Sequence, residues 1–254
     1  MNDLFTSSGR QALKDFAQDD LLCLFDFDGT LVPLEPHPEK VRVPAIVLDR
    51  LQRLQERTSV GIVTGRGLAD MHRMLEFKPD FLLGNHGIEG LPGWEMRTAE
   101  YEQICKDWHT QLTPQLAMID KEIWIEYKKY SISVHYIHST HLPELSATLT
   151  TLFETLSPQP RVIGGRQVFN LLPPNATDKG RAVNELMAVT GASCALYAGD
   201  DVTDEHVFEL NRDDLFTIRV GASSHSAAKY QIADHVAVVS LMDMLIEYLP
   251  HRRT

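Results

Sequence analysis

Two acidic runs follow short apolar stretches: Asp26-Phe27-Asp28-Gly29-Thr30 after Leu21-Leu22-Cys23-Leu24-Phe25, and Gly199-Asp200-Asp201-Val202-Thr203-Asp204-Glu205 after Ala195-Leu196-Tyr197-Ala198. In an extended chain, Asp26 and Asp28 would share a face and perturb each other's ionisation, a costly arrangement without a cation. A hard divalent metal relieves that cost, and magnesium takes one or two carboxylates together with phosphate oxygens and water. Each run also has a plainer reading. Asp-x-Asp-Gly is common turn chemistry, and Thr203 or Asp204 suits the N-terminus of a helix.

Two further segments offer groups for an anion. Thr64-Gly65-Arg66 presents a hydroxyl and the amides of a turn entering a helix, a suitable cradle for phosphate oxygens. Lys179 falls in the first turn of an expected helix, where the dipole disfavours a cation, so it needs another reason to be there. Neutralising a phosphoryl group is such a reason; a solvated surface lysine is the alternative.

The elements that must position these groups alternate. Leu21–Phe25 reads as a strand buried on both faces, Pro44–Arg57 as an amphipathic helix, Val60–Val63 as a strand, Gly67–Glu76 as a helix and Phe81–Leu83 as a strand. This alternation predicts a parallel sheet covered by helices, with ligands at the carboxyl ends of the strands. From Trp94 to about Pro173 the texture changes to a long helix, Thr98–Ile119, then strands at Ile123–Lys128 and Tyr130–Ile137, a helix at Leu142–Leu156 and a strand at Gln167–Leu172. After Pro173-Pro174 come a helix at Asp178–Val189, a strand at Ala195–Ala198, a helix at Asp204–Leu210, strands at Phe216–Val220 and Val236–Val239, and a last helix at Leu241–Leu249. The expected division is 1–94 with 174–254 as the core and 95–173 as an inserted α+β unit.

Bulk composition is that of an ordinary globular protein. With 254 residues, 43% hydrophobic and 23% charged, the chain matches a globular protein. Its net charge of −11, from 35 acidic against 24 basic residues, argues against nucleic acid or an anionic membrane as partner. Three separated cysteines, the absence of a signal-like N-terminus and the absence of a long apolar run predict a cytoplasmic chain with no membrane span. A monomer is the expected state.

Taken in order, Asp26-x-Asp28, Thr64, Lys179 and Asp200 with its neighbours resemble the four motifs of the haloacid dehalogenase superfamily of phosphohydrolases. The resemblance implies a Rossmann-like α/β core, with a parallel sheet flanked by helices, carrying a smaller α+β cap. It also implies phosphoryl transfer in two steps. Asp26 is then the nucleophile that forms an aspartyl phosphate, Asp28 the general acid and base, and Thr64 and Lys179 the holders of phosphate oxygens. Magnesium would be bound by Asp26, the main-chain carbonyl of Asp28 and Asp200, with Asp201 and Asp204 near it or supporting its ligands.

Specificity should lie in the insertion. Alternation puts Glu126 and Lys128 on one strand face, and Ser131, Ser133 and His135 on one face of the next strand, where they could grip a polyol or merely meet solvent. The run Glu126-x-Lys128-x-x-Ser131-x-x-x-His135-Tyr136, together with Gly84-Asn85-His86-Gly87-Ile88-Glu89 and the Gly199–Glu205 run, resembles the trehalose-6-phosphate phosphatases. That implies hydrolysis of trehalose 6-phosphate to trehalose and phosphate, the last step of trehalose biosynthesis. Glu126 and Lys128 would contact the sugar, with Arg66, Asn85, His86 and Asn170 in or near the pocket. The chain departs from the family before the motif lysine, where Asn170 replaces the expected acid and Leu172 the expected cation. Phosphatases of sucrose phosphate or mannosylglycerate phosphate, and a non-catalytic sugar-phosphate sensor, are the competing readings.

Overall fold

The computed structural model describes residues 1–18, 20–35, 40–91, 95–140, 142–165 and 167–251, with backbone alone for 95–97. In chain order the elements are β1 (Asn2–Asp3), α1 (Ser7–Phe16), β2 (Leu21–Phe25), α2 (Ala45–Gln55), β3 (Ser59–Val63), α3 (Leu68–Met74), β4 (Phe81–Leu83), α4 (Glu95–Ile119), β5 (Trp124–Tyr127), β6 (Ile132–His135), α5 (Leu142–Glu154), β7 (Arg161–Gly165), β8 (Val168–Leu172), α6 (Lys179–Thr190), β9 (Cys194–Gly199), α7 (Val202–Phe208), β10 (Leu215–Val220), β11 (Tyr230–Ile232) and α8 (Ala237–Tyr248). They divide into two units, Met1–Leu91 with Asp178–Thr254, and Pro92–Thr177.

The first unit is built on a parallel sheet of order β1-β11-β10-β9-β2-β3-β4. Every residue of β2 and of β9 is buried, which is why both read as unbroken apolar runs. Helices cover the sheet with single apolar stripes, Val47, Leu51 and Leu54 on α2 and Val238, Leu241, Met242 and Leu245 on α8. The chain leaves β2 for β3 on one side, and β9 pairs on the other. The carboxyl end of β2 is therefore a topological switch point, where such sheets bind ligands.

The second unit has an antiparallel sheet of order β5-β6-β8-β7 with α4 and α5. Trp108 and Leu112 of α4 and Leu149 and Phe153 of α5 pack with Ile132, Val134 and Leu171 in one core. The register sets Glu126 opposite Ser133, and Ser133 opposite Asn170, so these polar residues share the other face.

The expected strand at Val236–Val239 is instead the start of α8. The Asp234 carboxylate accepts the amides of Val236 and Ala237 at 2.9 and 3.1 Å, which turns the chain into a helix and puts Val238 on its buried stripe. The strand after β10 is β11, which pairs with it in parallel. Sequence reading also passed over β1, α1 and β7. β1 has two residues, and β7 ends in two glycines and shows little alternation. Among the described residues, the three cysteines are buried and unpaired, and no helix is long and apolar enough to cross a membrane.

Candidate active site

The Asp26 amide donates to the Ala198 carbonyl at 2.8 Å, extending the β2–β9 ladder by one rung and fixing Asp26 just beyond β2. Its Oδ1 receives the Lys179 ammonium at 2.6 Å, and the same ammonium reaches Asp204 Oδ1 at 2.8 Å. Lys179 is 2% exposed. It is the first residue of α6, whose N-cap is Asp178, with its side chain accepting the Arg181 amide at 2.9 Å. The cation disfavoured by the helix dipole is therefore held by two carboxylates.

Carboxylate oxygens of Asp26, Asp200 and Asp204 lie within 4.8 Å of one another. Asp200 accepts the Thr30 hydroxyl at 3.1 Å. It lies so close to Gly29 that a β-carbon there would be 2.1 Å from Oδ2, and Gly29 has φ +85°, so both contact and backbone call for glycine. Asp204 is more fully engaged. Its Oδ1 also accepts the Tyr197 hydroxyl at 2.6 Å, and its Oδ2 takes the Asp201 amide at 2.8 Å. Asp201 itself is the N-cap of α7.

Three carboxylates against one buried ammonium leave the cluster with surplus negative charge. Burial first, then Asp204 and Asp200 against the opposing pull of Lys179, pushes the Asp26 carboxyl up. Asp200 is pushed up to about 7, by burial and then Asp204. Lys179 stays an ammonium: burial alone would lower its pKa, but Asp204 and Asp26 more than reverse that. An all-oxygen donor set with surplus negative charge fits a hard divalent cation.

Asp28 is turned elsewhere. Both its oxygens are held by Arg66, from Nε and Nη2, at 2.6 Å each, and its carboxylate is not one of the converging three. The expected sharing of a face with Asp26 gives way to this fork, because a guanidinium matches a carboxylate better than a second carboxylate does. Arg66, expected near the sugar, is thus engaged with Asp28 in this structure. Its amide donates to Thr64 Oγ1 at 3.1 Å, and its guanidinium lies 5.6 Å from the Phe27 ring centre. Thr64 follows β3 and is tied to β4 through the Leu83 carbonyl at 2.9 Å. Asn85 and His86, both buried, form a tight turn with φ of +49° and +59°; the His86 amide donates to the Thr64 carbonyl at 2.9 Å and Asn85 Nδ2 to Glu89 at 3.0 Å.

In the second unit, Glu126 Oε2 meets His135 Nε2 at 2.9 Å and Lys128 Nζ at 3.5 Å, while Ser133 Oγ donates to Asn170 Oδ1 at 2.6 Å. Trp124 stacks on His135, centroids 3.8 Å apart. Leu172 is fully buried.

Sequence reasoning missed the supporting roles of Thr30 and Tyr197. A tyrosine in the otherwise apolar β9 was the available signal, since a buried hydroxyl needs a partner.

The fold is similar to that of a haloacid dehalogenase-like hydrolase of Bacteroides thetaiotaomicron, which superposes with a TM-score of 0.59 at 15% identity, covering 88% of this chain and 98% of that one. A family model described as trehalose-phosphatase matches residues 24–236, and the chain belongs to that family of phosphatases. It is 25% identical over 256 residues to a probable trehalose-phosphate phosphatase H of Arabidopsis thaliana, covering 90% of this chain and 72% of that one. It is 28% identical over 198 residues to a trehalose-phosphate phosphatase of Mycobacterium bovis, covering 73% of this chain but only 50% of that longer relative. A crystal structure of a trehalose-6-phosphate phosphatase related protein superposes with a TM-score of 0.69 at 26% identity, covering 89% of this chain and 97% of that one.

Proposed function

We propose that the chain hydrolyses trehalose 6-phosphate to trehalose and phosphate through an aspartyl phosphate on Asp26. The observation that carries this reading is Asp26 itself, a buried carboxylate at the sheet's switch point, held at 2.6 Å by Lys179 among the carboxylates of Asp200 and Asp204. A merely structural ion pair would not need that surplus of negative charge, whereas a metal-assisted phosphoryl transfer does.

In the first step an Asp26 oxygen forms a bond to phosphorus, the phosphorus–oxygen bond to the sugar breaks, and Asp28 gives its proton to the departing oxygen. In the second, water loses a proton to Asp28 and its oxygen attacks phosphorus, which releases phosphate and restores Asp26. Lys179 and Thr64 hold the remaining phosphoryl oxygens, and the Arg66 fork, which engages both Asp28 oxygens in this structure, opens to leave one of them for the transferred proton. Asp26, Asp200 and the main-chain carbonyl of Asp28 would hold magnesium, which supplies charge neutralisation at the phosphoryl group when bound. Asp204 and Asp201 support that set, Asp204 by positioning Lys179 and Asp201 by capping α7.

The second unit takes the role of a substrate-recognising cap, with Glu126, Lys128 and Asn170 making hydrogen bonds to sugar hydroxyls and Asn85 and His86 near the pocket. Where the family has an acid and a cation, Asn170 supplies a neutral hydrogen bond and buried Leu172 supplies none. We propose a cytoplasmic enzyme, acting as a monomer on a free sugar phosphate.

Phosphate release from trehalose 6-phosphate, sucrose 6-phosphate, mannosylglycerate phosphate and glucose 6-phosphate, with magnesium and with chelator, tests the reading. Preference for the first and silence in chelator are expected. Equal rates on all four would remove the trehalose assignment, and no release from any would favour a sensor.

A further inference from the structure

The turn from β9 into α7, Gly199–Glu205, carries Asp200, the cation ligand proposed above, and Asp204, which holds Lys179. Four carboxylates in six residues repel one another, so something must fix the turn from behind. Two supports are internal to the motifs: Thr30 on Asp200, and the Asp201 amide on Asp204. The third comes from β10. Arg219 pairs with Gly199 in the sheet register, and its Nη1 donates to the Asp201 carbonyl at 3.0 Å and to Glu205 Oε1 at 3.3 Å. The other Glu205 oxygen accepts the Ala227 amide at 2.9 Å. The β10 strand and the first turn of α7 are thereby joined through the Arg219 guanidinium, and the segment after β10 is joined to them through the Glu205 carboxylate.

Stability alone is a weak reason for this arrangement. The two side chains are only 14% and 18% exposed, and a pair so buried loses much of its attraction to desolvation, so an apolar replacement of both is often as stable. What an apolar pair cannot do is orient the peptide that follows Asp200 and cancel the Glu205 charge next to it. We infer that Arg219 is a positioning residue for the divalent-cation site: it anchors the Asp201 carbonyl and neutralises Glu205, so that Asp200 is presented to the cation in one orientation. This rests on the reading of Asp200 as a metal ligand.

Calorimetric binding of magnesium to the substrate-free full-length protein, with unfolding followed in chelator, tests it. The variants are Arg219→Met with Glu205→Gln, which removes both charges and leaves neither unpaired, and Arg219→Lys, which keeps a cation able to reach the Asp201 carbonyl. The double variant is expected to bind magnesium about tenfold more weakly while its melting temperature in chelator stays within a few degrees of wild type. Arg219→Lys is expected to recover to within about threefold. Unchanged affinity in the double variant overturns the inference, and so does a loss of affinity that simply follows a fall in melting temperature in both variants. Wild-type protein that binds no magnesium overturns instead the metal reading on which it rests.

Discussion

Both units place a carboxylate beside a lysine, yet the two pairs stand in opposite electrostatic conditions. In the first, Asp26 and Asp204 share the buried ammonium of Lys179 with Asp200 close by, and the carboxyls of Asp26 and Asp200 are pushed up. In the second, Glu126 meets both Lys128 and His135. Burial alone would raise its pKa, but the two partners outweigh that and hold it at about 2. The core site is short of positive charge, whereas the polar face of the second unit is already balanced. On the function proposed above, the same residue types serve charge-demanding chemistry in one place and recognition in the other.

The largest expected effect tests the core half of that contrast. Asp26→Asn keeps a polar group of the same shape but removes the nucleophile, so phosphate release from any ester is expected to fall by about 10⁴-fold or more. A rate within tenfold of wild type would mean that Asp26 does not attack phosphorus. Next comes Lys179→Met, which leaves the buried Asp26 and Asp204 facing each other without their ammonium. Unfolding in urea with chelator is expected to show a loss of about 3–5 kcal/mol, the cost of an uncompensated buried charge. If Lys128→Met, in the balanced pair, cost as much, the distinction between the two regions would fail.

Which parts were legible in the sequence follows from where the signals lie. β2 and β9 were readable because a strand buried on both faces writes a continuous apolar run, and each ends at an acidic residue that breaks it. Val236–Val239 is equally apolar, and periodicity over four residues cannot separate a strand from the first turn of a buried helix; the deciding contact is the Asp234 carboxylate on two amides. The Asp28–Arg66 fork was not readable either, since it joins residues 38 positions apart. The motif residues Asp26, Lys179 and Asp200 could be named from their order along the chain, but Tyr197, Thr30 and Arg219 act through contacts that form only in the folded chain.

The recognition half of the contrast is sharpened by Glu126→Gln. A truncated charge-assisted hydrogen bond to a sugar hydroxyl is expected to raise KM for trehalose 6-phosphate about tenfold with kcat nearly unchanged, and to leave a small aryl phosphate unaffected. An equal loss on both esters would show that Glu126 supports the fold rather than the sugar.

The smallest expected effect is in acid. The Glu126 carboxyl is held at about 2, below its ordinary value of 4.5, so its contribution to stability is complete above pH 4.5 and is lost as the pH falls toward 2. Its side chain is 26% exposed, and solvent screening limits the contribution to about 1 kcal/mol or less. Urea midpoints of wild type and Glu126→Gln, measured at pH 6, 4 and 3, are expected to differ by a constant amount down to about pH 4.5 and then to converge. Core carboxyls titrate in both proteins and cancel in the difference, which isolates Glu126. Divergence on acidification would require Glu126 to be protonated more readily in the folded chain than in the unfolded one, and would place this carboxylate in the same charge-poor condition as Asp26.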